Sequence, residues 1–366
     1  MIEWQSNNNP FDDMTMDLIE IKNKYEKIHV IQNADSNAGF SALITYALNG
    51  VRKAIENNWI PVVDYNAQNL AYFYDEERGE NIWAYYFYPI AKLSIDQVED
   101  WLDQDEIAKD FIHEYSKENI LNWHHIDPAR IATFWSKEKP PSPEKWINEK
   151  RALGRKYVAK YIKVKPHILQ KVSDFQAKYL ENTYSIGVHI RGTDFSYAKP
   201  TSPETYIEAI HHHLDENKIK EFNLFLATDQ VQFIEVFEKE FPGRVSYYNA
   251  IRSENHVAPF HFKDVNNYKK GEDVLIDMLL LSNCQFLFKG AAAVGEYALW
   301  LNPTLSCYDF ALESDIERGR YSLRKGAFFK IDLGDKGSMK LKITYIQQVF
   351  RQILEQVKLI FEKDHD

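Results

Sequence analysis

The hydrophobic pattern of this chain alternates between short apolar runs and stretches of helical spacing. In KIHVIQNADSNAGFSALITYALNGVRKAIENNWIPVVDY it predicts a strand at Ile28–Gln32, a loop through Gly39, a helix to Glu56 and a strand at Pro61–Tyr65. Together these make a βαβ unit. From Glu76 to Ile147 the pattern is irregular and rich in Trp and Tyr, and KEKPPSPEKW marks an extended connection. A helical stretch, Asn148 to Tyr179, leads into a second regular series. Strands are predicted at Ser185–Arg191, Phe222–Thr228, Arg244–Tyr248, Gln285–Phe288 and Thr304–Tyr308. Helices are predicted between them at Pro203–Asn217, Val231–Glu240, Glu272–Ser282 and Gly295–Leu301. Ser202 is the expected N-cap and Pro203 the first helical position of the first of these helices. The series reads as a doubly wound α/β domain. TYIQQVFRQILEQVKLIF closes the chain as an amphipathic helix.

Length and charge narrow this picture. The 366 residues suffice for two domains, divided as 1–180 and 181–366, each able to bury a core. A formal charge of −10 argues against a general nucleic-acid or anionic-membrane surface, so any anion site must be small and specific. Cys284 and Cys307 both sit in apolar runs and read as buried free thiols, which fits a reducing compartment. MIEWQSNNNPFDD has no basic flank followed by an apolar core, and no run approaches the roughly 18 apolar residues of a membrane span. The expectation is a cytoplasmic protein without a transmembrane segment, compatible with peripheral attachment at the inner face of the membrane.

Candidate chemistry concentrates at strand ends, where ligands bind in an open parallel sheet. Four ends in the second series carry polar residues: His189-Ile190-Arg191, Thr228-Asp229, Tyr248-Asn249 and Lys289. Strand periodicity puts His189 and Arg191 on one face, where they can meet one ligand, and an Arg fork suits phosphate oxygens. Taken singly, His189 reads as a satisfied core histidine and Arg191 as a salt-bridge partner of Asp194 or Asp229; as a pair at a strand end they read as a site. Asp277 can accept two hydrogen bonds from adjacent N–H donors, which is what a guanine edge offers; the alternative is a helical Asp paired with a cation. The small-residue turn Gly290–Ala293 either lets the next helix hold an anion at its N-terminus or is a plain tight turn.

Other features count for less. The consecutive His211, His212 and His213 point in different directions and read as surface residues. Asp103-Gln104-Asp105 spells Asp-x-Asp but lies on a polar helix rather than after an apolar strand. No phosphate loop, nucleophile elbow or C-x-x-C pair is present, which argues against ATPase, serine hydrolase and zinc-site readings. NADSNAG lacks the glycine spacing of a dinucleotide-dependent oxidoreductase.

With these residues assembled, the sequence resembles the GDP-fucose-dependent fucosyltransferase superfamily: α1,6-fucosyltransferases of the core-fucosylating and nodulation kind, with α1,2- and protein O-fucosyltransferases as distant relatives. IGVHIRGTDF resembles the first family motif, G-V-H-[IV]-R-R-T-D, and FLATDQVQFIEVFEKEFP the second, in which a strand ends in A-T-D. VLIDMLLLSNCQFLF with the small-residue turn after it resembles the third. The match runs from Ser185 to about Leu301; amino-terminally it is looser and would bring Asn37, Ala38 and Gly39 to the cleft.

The resemblance implies a GT-B-like α/β fold, two facing Rossmann-like domains, with an inverting reaction that uses a GDP-sugar donor, a glycan acceptor, lipid-linked or free, and no metal or other cofactor. It implies that Arg191 binds the β-phosphate, that His189 and Asp277 hold the guanine nucleoside, and that Asp229 shapes the site or contacts the donor. This chain departs from the pattern in three places. Gly192 stands where core-fucosylating members have a second Arg; Ala292 and Ala293 stand where they have Ser and Gln; FSYAKPTSP lacks a Glu that could act as base. Lys289 is the expected replacement for the missing positive charge. Asp194 is the first candidate base and Asp64 the second. The departures keep open a donor other than fucose, or a binding protein of the same fold without turnover.

Overall fold

The computed structural model describes residues 9–12, 17–33, 38–66, 70–104, 106–107, 109–113, 115, 143–181, 183–193, 201–255 and 257–310. The expected carboxyl-terminal helix therefore lies outside the described residues.

The first sheet is parallel and three-stranded, with β1 (Lys27–Ile31) between β2 (Trp59–Val63) and β3 (Ile112–His113). Between β1 and β2 runs α2 (Phe40–Glu56), which follows a short α1 (Leu18–Lys24) in chain order. Its Phe40, Leu43, Ile44, Ala47, Leu48 and Val51 are buried at three- and four-residue spacing, so burial of one apolar stripe fixes the helix against the sheet. The region from Glu76, expected to be irregular, supplies α3 (Trp83–Tyr86), α4 (Ile95–Asp103) and the edge strand β3. Ser94 caps α4 by accepting the Gln97 N–H at 3.3 Å. Gln104 is the C-cap of α4, which leaves Asp103-Gln104 on a helix end as expected.

The helical stretch before the second sheet is two helices, α5 (Pro143–Tyr161) and α6 (Pro166–Tyr179). Pro166 sits at the first position of α6 and holds Lys165 in an extended conformation, while Val164 makes a bridge to Phe87. Apolar spacing predicts one continuous helix here because it runs through the break without registering it.

The second sheet has five parallel strands in the order β6-β5-β4-β7-β8. They are β4 (Tyr184–Ile190), β5 (Phe222–Thr228), β6 (Val245–Ser246), β7 (Phe286–Lys289) and β8 (Ser306–Asp309). Alternate residues of β4 serve two cores. Ile186, Val188 and Ile190 pack with α7 (Pro203–Glu216) and α8 (Val231–Glu240), while His189 turns to the opposite side. On that side lie α9 (Asn267–Ser282) and α10 (Ala293–Leu301), both almost wholly buried. Ser202 caps α7 through the Thr205 N–H. His211 and His212 are exposed beside Glu240 and Glu216, but His213 is half-buried, its ring stacked on Phe286 at 3.9 Å. That corrects the expectation of three surface histidines.

The two sheets meet through α9 and α10. Thr45 of α2 shares a hydrogen bond with the Tyr297 hydroxyl of α10 at 2.8 Å, and the Tyr86 hydroxyl donates to the Tyr268 carbonyl at 2.8 Å. The Tyr86 and Tyr268 rings stack with centroids 5.3 Å apart. Asn267 donates across the seam to the carbonyls of Ala71 and Tyr74. The result is a GT-B-like arrangement of two parallel α/β units with a cleft between them.

Candidate functional site

The strand order places a topological switch point between β4 and β7, whose following connections run to opposite sides of the sheet, and open α/β sheets leave a crevice there. A cavity of about 280 Å³ occupies it, lined from both units. Its walls include His189 and Arg191 after β4, Thr228 and Asp229 after β5, Ala292 and Ala293 opening α10, and Asp273 and Asp277 of α9. The first unit contributes Gly39 to Ala42, Tyr46 and Phe73. Period two in β4 accounts for His189 and Arg191 sharing the cavity face.

Asp229 organises the loop that carries Arg191. Its carboxylate accepts the Gly192 N–H at 2.8 Å and the Thr193 hydroxyl at 2.5 Å, and it lies 3.9 Å from the Arg191 guanidinium. Asp229 thus holds the two residues that follow Arg191, which itself lines the cavity. A side chain at Gly192 has no room here: a Cβ would lie 2.5 Å from the Gln230 side-chain oxygen and 2.7 Å from the Phe233 ring. Gln230 is held there by donating to the Asn255 carbonyl at 2.7 Å. The glycine that replaces the expected Arg is therefore tied to the Gln230 packing.

The base of the cavity is electrostatically unusual. Asp277 is buried, one of its oxygens has no hydrogen-bond partner, and burial pushes its carboxyl up to about 8, against the weaker pull of Arg252. His189 is held down to about 3 by burial, with Arg191 and Lys289 acting in the same direction, so its ring is neutral near neutral pH. Its Nδ1 is unpartnered and buried against α10, where Gly295 allows close approach: a Cβ at that glycine would come 3.3 Å from Nδ1 and 2.9 Å from the Lys289 Cβ. Asp273, one turn before Asp277, is matched by Lys269 and accepts the Ile251 N–H at 2.8 Å.

Two helix N-termini open onto the same space. Gly39 precedes α2 and Ala292 precedes α10, and neither provides a side-chain cap. The first-turn residues of both helices line a cavity that Arg191 also lines, an arrangement suited to an anion.

Two of the expected site residues are elsewhere. Lys289 does not line the cavity: it is fully buried, 2.8 Å from Asp309 and 3.2 Å from Glu296, and these carboxylates also bind Arg151. Its charge is spent within that cluster, which overturns the expectation that it restores a positive charge to the site. Asp64 follows β2 as expected but is buried, bound to the Gln32 amide at 2.8 Å, and is not part of the cavity wall. Asp194 and Asn37 lie outside the described residues.

Several cavity residues escaped the sequence reading, among them Lys270, Asp273, Tyr46, Phe260 and the segment Ala250–Ile251. The strand expected at Arg244–Tyr248 is only Val245–Ser246, and the freed chain after it folds over the cavity. Helix α9 begins at Asn267 rather than Glu272, capped by Asn266, whose side chain accepts the Lys269 N–H at 2.8 Å. Polar residues at 270, 273 and 277, spaced by three and four on one helix face, were the available signal.

Residues 146–322 match the family model of nodulation protein Z (NodZ). That match takes in just under half of the chain. The matched part contains β4 to β8 and every cavity residue of the second unit. Among solved structures, the fucosyltransferase NodZ from Bradyrhizobium is 18% identical, with 76% of this chain and 94% of that chain covered and a TM-score of 0.46. A NodZ α1,6-fucosyltransferase soaked with GDP-fucose is 17% identical over 76% and 93%, TM-score 0.45. An Arabidopsis thaliana FUT1 mutant in complex with GDP is 11% identical over 78% and 70%, TM-score 0.44. No curated protein matches the chain. Among the described residues no helix is long and apolar enough to cross a membrane, and no group of three or more His, Cys, Asp or Glu is placed to hold a metal ion.

Proposed function

We propose that this protein is an inverting, metal-independent glycosyltransferase that moves L-fucose, or a similar deoxyhexose, from a GDP-sugar to a glycan acceptor. One observation carries the reading: a buried Asp277 carboxylate with an unpartnered oxygen shares one cavity with Arg191 and two uncapped helix N-termini. A guanine edge offers adjacent N–H donors to such a carboxylate, and a diphosphate offers oxygens to the cationic features. The match of residues 146–322 to the NodZ family supports the same assignment.

In this reading the donor's base contacts Asp277 and His189, and its phosphates face Arg191 and the opening turn of α10. Negative charge grows on the diphosphate as the sugar–oxygen bond breaks, and a guanidinium fixed by the Asp229-held loop stabilises it without having to reorganise. The acceptor hydroxyl attacks from the opposite face of the sugar and gives its proton to a carboxylate, a role for which Asp194 is proposed. The glycan is assembled in the cytoplasm on a free or lipid-linked acceptor.

Thermal unfolding in the presence of GDP, UDP, ADP and CMP tests the donor assignment. A ligand at about 100 times its dissociation constant adds roughly 2.7 kcal/mol to the folded state. The expected result is selective stabilisation by GDP that Arg191→Ala abolishes, followed by release of GDP from GDP-fucose. A preference for UDP would discard fucose as donor, and GDP binding without any turnover of GDP-sugars would favour a binding protein of the same fold.

A further inference from the structure

Among the described residues three cationic side chains are buried: Arg151, Lys270 and Lys289. Arg151 and Lys289 share the carboxylates of Glu296 and Asp309. Among the described residues Lys270 has no such counter-charge. Its Nζ donates to the neutral side-chain oxygen of Asn267 at 2.8 Å, and no carboxylate among the described residues is paired with it. Burial draws its pKa down with nothing acting in the opposite direction. Yet its side chain lines the cavity, a surface from which a compensating anion can arrive.

The position along α9 says which anion. Lys270 and Asp277 are seven residues apart, two turns of one helix face, and so about 10 Å apart along the axis. A nucleoside diphosphate whose base is held at Asp277 can extend toward Lys270 within the cavity that both residues line, together with the first turn of α2. Asn267, which receives the lysine's hydrogen bond, also donates to the Ala71 and Tyr74 carbonyls of the first unit. The ammonium is therefore held at a fixed position at the seam of the two units.

We propose that Lys270 is a second cationic ligand of the donor's diphosphate, acting with Arg191 across the cavity. The inference rests on the reading of the site as a GDP-sugar site. Phosphate chemistry at this position has two possible sources, the donor's diphosphate and a phosphate carried by the acceptor, and the geometry relative to Asp277 favours the donor.

Calorimetric titration of guanosine and GDP against the wild type, Lys270→Met and Lys270→Arg tests this. The expected result is unchanged guanosine affinity in all three, GDP affinity lowered about tenfold to a hundredfold by Lys270→Met, and GDP affinity largely retained by Lys270→Arg. Lys270→Gln serves if the Met variant does not fold. Equal GDP affinity in the wild type and the uncharged variant overturns the inference while leaving the donor assignment intact. Inorganic phosphate that binds the GDP-saturated wild type but not the variant, with GDP affinity unchanged, also overturns it and moves the lysine to the acceptor. A wild type that binds GDP no better than UDP or ADP overturns the guanine reading itself, and this inference with it.

Discussion

Replacing Asp277 with Asn keeps the side chain's shape and removes its charge, and the structure makes the consequences opposite for the empty and the occupied protein. Burial raises the carboxyl from 3.8 to about 8, so between these values the folded protein holds a proton that the unfolded chain has released. Stability then falls as pH rises from about 4 to about 8 and levels off above. Each pH unit in that interval costs about 1.4 kcal/mol, and the whole interval is worth on the order of 5 kcal/mol. Asp277→Asn lacks that slope, and its melting temperature at pH 8.5 is expected to exceed that of the wild type. Ligand binding reverses the preference. To accept two N–H donors the carboxyl must ionise, and at pH 7 about nine-tenths of it is protonated. GDP binding is therefore expected to release nearly one proton and to tighten about tenfold per pH unit below 8. Asp277→Asn, left with one acceptor and one misplaced donor, is expected to bind GDP about 10- to 150-fold more weakly. Isothermal titration at pH 6.5, 7.5 and 8.5 in buffers of different ionisation heat measures both quantities, and the Asn variant corrects for titration of the ligand's own phosphate. The same pH slope in both proteins, or undiminished affinity in the variant, would refute the reasoning.

Three further substitutions separate the site from its supports. Gly192→Arg, although it restores the expected family residue, collides with Gln230 and Phe233 and is expected to lower stability by about 1–3 kcal/mol in urea denaturation, with Gln230→Ala recovering part of the loss. Asp229→Ala removes the acceptor of the Gly192 N–H and the Thr193 hydroxyl; GDP affinity should drop at least tenfold by titration because Arg191 loses its fixed loop, and unaltered affinity would contradict that role. Lys289→Met leaves Glu296 and Asp309 sharing Arg151 alone, so a destabilisation of about 3–5 kcal/mol is expected in the melting curve, with GDP affinity of the folded fraction preserved.

How much of this was legible in the sequence depends on the range of the interaction concerned. The pairing of His189 with Arg191 on one face, the strand Phe222–Thr228, the helix Val231–Glu240 and the Ser202 cap all follow from contacts within a few residues, and the structure has each of them. The expected start of α9 at Glu272 missed the Asn266 cap and so left Lys270 outside the helix. The expected single helix from Asn148 to Tyr179 missed the break at Pro166 because apolar spacing continues through it.

By itself the sequence determined the order of strands and helices from β4 to β8, the parallel α/β class and the polar strand ends, because backbone periodicity and capping are local properties of the chain. Tertiary structure alone decided what each polar residue faces. Lys289 and Lys270 carry the same charge, yet one is neutralised by Asp309 and Glu296 and the other lines the cavity with no carboxylate among the described residues paired with it. Gly192 reads as a lost Arg until Gln230 is seen filling the space beside it. Charge pairing and steric room depend on distances between segments far apart in the chain, and only the packing of the two units sets those distances.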